Sequence, residues 1–164
     1  MANVIDNFLP DEEFRKLKAI VMGLGMPWYY SPSITTRNLS DDKNFYMSHI
    51  FYSKNKFSDM FSFITPLMDA VAPDNVIRIK ANLYPNQGDK VVHDSHYDYD
   101  FSHKAAVFSI NTNDGATIMP DGEHVESIAN RIVFFDGSEM HSSTTCTNAS
   151  VRVNINMNYT KVGL

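Results

Sequence analysis

A chain of 164 residues has room for one domain and none for a second of ordinary size. With 43% hydrophobic and 20% charged residues, and one Trp, eight Tyr and eleven Phe, it can bury a core, which excludes a disordered polymer. Fourteen Lys and Arg against nineteen Asp and Glu leave a net charge of -5, so no basic excess is available for a run of phosphates and nucleic acid is a poor partner.

The opening, VIDNFLPDEEFRKLKAIVMG, predicts a short strand and then a helix that starts near Pro10. Asp11, Glu12 and Glu13 complement the dipole of its first turn, and Phe14, Leu17, Ile20 and Val21 form one apolar stripe. The first basic residue is Arg15, Asp6 stands where a secretory signal would be positive, and the longest apolar stretch, Ala19 to Met26, is too short to span a bilayer. The lone cysteine, Cys146, rules out an internal disulfide and is expected to be a bystander. Together these predict a reduced, cytoplasmic setting without membrane contact. The polar stretch from Ser31 to Asn44, between the aromatic clusters Trp28 to Tyr30 and Phe45 to Tyr46, predicts a mobile loop. Apolar residues at helical spacing predict a second helix from Lys56 to about Val71, kinked or split at Pro66.

From Val76 onward short runs of Val, Ile, Phe and Tyr separated by turn residues predict an all-β half. Two runs alternate cleanly. In RIKANLY, Arg78, Lys80, Asn82 and Tyr84 share the face opposite Ile77, Ile79, Ala81 and Leu83. In VRVNINMNY, Arg152, Asn154, Asn156 and Asn158 share the face opposite Val151, Val153, Ile155, Met157 and Tyr159. Such a polar face is either a strand surface open to water or the lining of a cavity inside a barrel or jelly roll.

GlyLeuGlyMetProTrp has Trp28 where a dinucleotide loop needs its third glycine, and there is no Walker A, HExxH or GxSxG pattern. His124 and Glu126 mimic a zinc deaminase, which would require a CxxC partner. The remaining candidate is HisTyrAsp. On an extended strand His96 and Asp98 project to one side, where they can occupy adjacent corners of a metal sphere. About 0.7 such His-x-acid pairs are expected by chance from this composition and two occur, so the pair alone carries little weight. Its context carries more. His141 follows Asp98 by 43 residues, enough for strands to go out and return, and Arg152 follows His141 by 11. Two histidines and a carboxylate on one face of a metal leave three positions open, the arrangement of non-haem Fe(II) oxygenases. An arginine beyond them could grip the far carboxylate of a diacid.

On these residues the sequence resembles the Fe(II)- and 2-oxoglutarate-dependent dioxygenases, especially the small prolyl-4-hydroxylase-like members of bacteria and phages. VIDNFLPDEEF is similar to their opening, the stretch from Ile77 to Tyr159 to their double-stranded β-helix, and ANRIVFFDGSEMH to the run into their distal histidine. The resemblance implies His96, Asp98 and His141 as Fe(II) ligands, and Arg152, Tyr84, Asn82 and Asn154 as contacts to 2-oxoglutarate, by likeness to RxN and NxY elements. Ser109 departs from it, standing where some prolyl hydroxylases have a second cosubstrate-binding tyrosine. His93, Asp94, Asp100 and His103 crowd the motif and are expected in loops, supporting the site or facing substrate.

The resulting expectation is a mainly β, cupin-like jelly roll with N-terminal helices, in a single domain over 1–164, with a helical support region at 1–75 and the double-stranded β-helix at 76–160. The implied reaction uses Fe(II) as cofactor and consumes 2-oxoglutarate and O2, with ascorbate as an auxiliary reductant. It hydroxylates a peptidyl, prolyl-type residue, in the host cytoplasm for a phage-encoded member. A free amino acid or other metabolite as substrate, a non-catalytic jelly-roll binding module, and a cupin-like hydrolase or isomerase are the other readings.

Overall fold

The computed structural model describes residues 2–33 and 44–161. In chain order the elements are β1 (Asn3–Ile5), α1 (Asp11–Val21), β2 (Tyr29–Ser31), β3 (Tyr46–Ser53), β4 (Lys56–Phe57), a 3-10 turn (Phe61–Ile64) and α2 (Thr65–Val71). There follow β5 (Asn75–Pro85), β6 (Lys104–Ser109), β7 (Ala116–Ile118), β8 (His124–Glu126), β9 (Ile132–Asp136), β10 (Ser142–Ser143) and β11 (Val151–Thr160).

The strands form two antiparallel sheets. The larger has the order β1-β9-β6-β11-β5-β3-β2, with β4 folded onto β3, and the smaller has the order β10-β7-β8. Neighbours in space are distant in sequence, as in a jelly roll. The alternation of β5 and β11 decides what lies on each side of the large sheet. Ile79, Ala81, Val153, Ile155 and Met157 pack with Leu17 and Val21 of α1 and Leu67 and Val71 of α2 in the main core. Phe108 of β6 lies among them, edge-on to Phe14 and tilted against Phe8. Each such side chain contributes roughly 1.5 to 3 kcal/mol by leaving water. The opposite face meets the small sheet, where Ala105, Val107, Val133 and Phe135 pack against Met119 and Val125 in a second, smaller core.

The front of the chain differs from its predicted helical character. Residues 56 to 64 do not form α-helix: Lys54 and Asn55, both with positive φ (51° and 60°), make a tight hairpin into β4, and a 3-10 turn follows. Pro66 marks the split, because a proline is tolerated only in the first turn of α2. The same region supplies β1 to β4, and β3 pairs with β5 and lies between it and the edge strand β2. Of the loop expected over Ser31 to Asn44, residues 34–43 lie outside those described. No helix among the described residues is long and apolar enough to cross a membrane.

Candidate functional site

The polar faces of β5 and β11 are not wet. Arg152, Asn154, Asn156 and Asn158 are buried, as are Asn82 and Tyr84, because the small sheet and the 86–103 segment cover them. Burying this much polarity is costly unless it is internally bonded or meets a ligand.

His96 and His141, 45 residues apart, form a reciprocal backbone bridge: the His96 amide donates to the His141 carbonyl (2.8 Å) and the His141 amide to the His96 carbonyl (2.9 Å). Their rings lie 4.8 Å apart. Nδ1 of His96 is 3.2 Å from the Asp94 carbonyl and Nδ1 of His141 is 2.9 Å from the Glu139 carbonyl. A carbonyl only accepts, so in the neutral ring each Nδ1 carries the proton and each Nε2 keeps its lone pair. Asp98 places Oδ2 3.9 Å from His141 Nε2, and one donor atom from each of the three residues falls within 4.8 Å of the others.

Asp98 is held from several sides. Arg78 Nη2 donates to its Oδ1 (2.8 Å), while Asn158 (2.7 Å) and Asn156 (3.3 Å) donate to Oδ2. Its own amide donates to the Gly137 carbonyl at 3.2 Å. Burial pushes the Asp98 carboxyl up, but Arg78, the Asn158 hydrogen bond and the two histidines outweigh burial and hold it at about 2. Gly137 is required here, since a Cβ would fall 2.2 Å from Nε2 of the buried His103, which abuts Asn158. For His96, burial and the neighbouring His141 favour the neutral ring, the form that binds metal.

Arg152 is the most telling residue. It is 1% exposed, yet its partners are all neutral: Nε donates to Ser127 Oγ (2.7 Å), Nη1 to the Thr144 carbonyl (3.0 Å) and Nη2 to Thr117 Oγ1 (3.0 Å). Tyr84 lies under the guanidinium at 5.4 Å. Three of the five N–H groups are used, so Nη1 and Nη2 each retain one, and no carboxylate among the described residues lies within ion-pair distance. A Cβ on Gly115 would meet the Arg152 Cδ at 2.6 Å, so glycine is needed for the side chain to pass.

A cavity of about 40 Å³ lies between the sheets, lined by Asn82, Tyr84, His96, His141, Ser143 and Asn154 among others, with room for about three waters. Asn82 donates to Asn154 Oδ1 at 2.9 Å and leaves its own Oδ1 without a partner. Tyr84 is hydrogen-bonded to Ser143 and pushed up by burial to about 12, so its hydroxyl stays protonated. Ser109 is also buried, opposite Asn154 on β6.

The seven residues singled out by sequence are therefore in one place: His96, Asp98 and His141 together, Tyr84, Asn82 and Asn154 at the cavity beside them, and Arg152 behind Tyr84. His93 adjoins this site, buried, with Nδ1 2.8 Å from Ser143 Oγ and Nε2 unpartnered. Burial, then Arg152 and His96, push it down to about 3. His103 is buried behind Asp98, whereas Asp100 is exposed. His124 and Glu126 sit exposed on β8, away from the site, and His49 serves the other core, bonded to Pro27 and Ser58. Arg78, Asn156 and Asn158 escaped notice as site residues, although their shared face with Asn82 and Arg152 was visible in the alternation.

No protein-family model matches the chain, and no curated protein matches it in sequence. Solved structures do match. A prolyl hydroxylase from Trichoplax adhaerens, in complex with a hypoxia inducible factor oxygen degradation domain peptide fragment, superposes with a TM-score of 0.67 at 13% identity, covering 97% of this chain and 83% of that one. The viral collagen prolyl hydroxylase of Paramecium Bursaria Chlorella virus-1, in a 2OG complex, gives 0.63 at 14% identity over 98% and 96%. An oxidoreductase of the 2OG-Fe(II) oxygenase family from Burkholderia pseudomallei gives 0.70 at 10% identity over 97% and 84%. At such identities the likeness is one of fold, the jelly roll of these oxygenases.

Proposed function

We propose that this chain is a non-haem Fe(II)- and 2-oxoglutarate-dependent dioxygenase that hydroxylates a peptidyl, prolyl-type residue. The single observation that carries the reading is Arg152, a buried cation with two unshared N–H groups and only neutral partners, placed behind a His-Asp-His group. A cation is not buried this way without compensation, and an anionic ligand supplies it. The donor set fits a ferrous ion: two imidazole Nε2 lone pairs fixed by the carbonyls of Asp94 and Glu139, and a carboxylate kept ionised.

In this reading His96, His141 and Asp98 hold the metal. Arg152 grips the distal carboxylate of 2-oxoglutarate through its free N–H pair, and Tyr84, Asn82 and Asn154 bound the space between. When bound, Fe(II) would activate O2, with 2-oxoglutarate and the substrate each giving two electrons, so that one oxygen atom would end in succinate, beside released CO2, and the other in the hydroxylated substrate. The protein positions and supplies charge, and no general acid or base is needed. A peptidyl target is supported by the neighbours of the same fold, one a collagen prolyl hydroxylase and another holding a peptide.

The test is aerobic incubation with Fe(II), ascorbate and 2-oxoglutarate, alone and with peptide and metabolite pools. Succinate should form in the native protein and not in His141→Ala, and a substrate should gain one oxygen. A protein that forms no succinate under any of these conditions would be the binding module instead.

A further inference from the structure

Resting on the dioxygenase reading, we infer that the substrate carries a carboxylate, and that Lys80 holds it beside the metal. Lys80 lies on the polar face of β5, between Arg78, which bonds Asp98, and Asn82, which lines the cavity. Its cross-strand neighbours are Asn156 on one side, a donor to Asp98, and half-exposed Ile50 on the other. The lysine is thus half-buried on the face that carries the partners of Asp98, with a half-exposed neighbour on its other side. Its ammonium donates to the Tyr46 hydroxyl at 3.1 Å and rests 5.1 Å from that ring, and among the described residues no carboxylate comes within ion-pair distance.

The charge balance of the loaded site points the same way. Arg78 is answered by Asp98, and Arg152 by the distal carboxylate of 2-oxoglutarate. Fe(II) brings two positive charges and Arg78, Lys80 and Arg152 one each, against one negative charge on Asp98 and two on 2-oxoglutarate. Among the described residues Lys80 remains unanswered, in a pocket of lowered dielectric where an excess of cations raises the local concentration of an anion. Arginine at position 78 is a fixed structural donor. Lysine at 80, on a flexible stem, suits a group that enters and leaves. An acidic side chain or a terminal carboxylate adjoining the hydroxylated carbon meets this requirement.

The test loads the protein anaerobically with Mn(II) and saturating 2-oxoglutarate and follows 19F relaxation of trifluoroacetate, with trifluoroethanol as the neutral counterpart. Trifluoroacetate should show saturable relaxation by the bound metal and trifluoroethanol none. Lys80→Met should weaken that binding about tenfold or more, the loss of one charge-assisted hydrogen bond, with Mn(II) affinity unchanged. Lys80→Arg should retain it. Absence of saturable relaxation in the native protein, or equal binding in Lys80→Met, overturns the inference while leaving the dioxygenase reading intact. Failure to bind Mn(II) at all overturns both.

Discussion

Replacing Arg152 by methionine separates ligand recognition from folding, because the two effects have different signs in this structure. The substitution removes two free N–H donors, each worth roughly 1.5 kcal/mol or more toward a carboxylate, so 2-oxoglutarate should bind about 3 kcal/mol more weakly, a loss of roughly 150-fold. The ligand-free protein should hardly notice. The Ser127 and Thr117 hydroxyls can rotate to new partners, and the Thr144 carbonyl loses a donor at a cost of about 1 to 3 kcal/mol. Against this, a fully buried cation with no acidic partner among the described residues disappears, which relieves its desolvation. The expected net change in unfolding temperature is within about 5 °C. Calorimetric titration of the Mn(II)-loaded protein with 2-oxoglutarate measures the first quantity and a thermal melt without ligand the second. A dissociation constant within threefold of the native value, in a folded variant that still binds metal, would refute the assignment of the fork.

Gly115→Ala should act on the same residue from behind. Its Cβ would lie 2.6 Å from Arg152 Cδ and 2.9 Å from the Thr145 carbonyl, an overpacking that costs about 1 to 3 kcal/mol in a melt and weakens 2-oxoglutarate but not metal binding. Arg78→Met frees one side of the Asp98 carboxylate and should lower Fe(II) affinity about 10- to 100-fold by titration, with Arg152-dependent recognition intact once metal is saturating. Acid should destabilise the metal-free protein in a defined window. The His93 ring is depressed to about 3 in the fold and returns to about 6.5 when unfolded, so its contribution is complete above pH 6.5 and falls away as pH drops toward 3. Each such histidine contributes a slope of up to about 1.4 kcal/mol per pH unit, and His93→Gln should reduce the slope of urea stability between pH 6 and 4.5 by about one proton. An unchanged slope would mean that His93 is protonated within the fold.

The parts of this architecture that depend on short-range pattern were legible in the sequence. Asp11 to Val21 is a helix because its apolar stripe and acidic first turn agree, and the two polar faces of β5 and β11 follow from strict alternation. Alternation alone allowed both a wet strand and a lined cavity and favoured the wet strand, since the difference lies in what covers the face. Only the small sheet over Arg152, and the 86–103 segment over Asn158, make these two side chains interior. The apolar spacing over Lys56 to Ile64 imitated a helix because a hairpin and a 3-10 turn also bring Phe57 and Phe61 into contact, at 4.6 Å. His96, Asp98 and His141 were found through spacing and resemblance. Arg78 and Asn158 were not, because holding a carboxylate from neighbouring strands leaves no mark in linear order.

The most direct measurement is anaerobic calorimetry of Fe(II) and then 2-oxoglutarate with the native protein and with His141→Ala. The account predicts one Fe(II) per chain and 2-oxoglutarate binding that requires the metal, with both lost in the variant. Metal-independent 2-oxoglutarate binding, or Fe(II) binding retained at native affinity without His141, would contradict it.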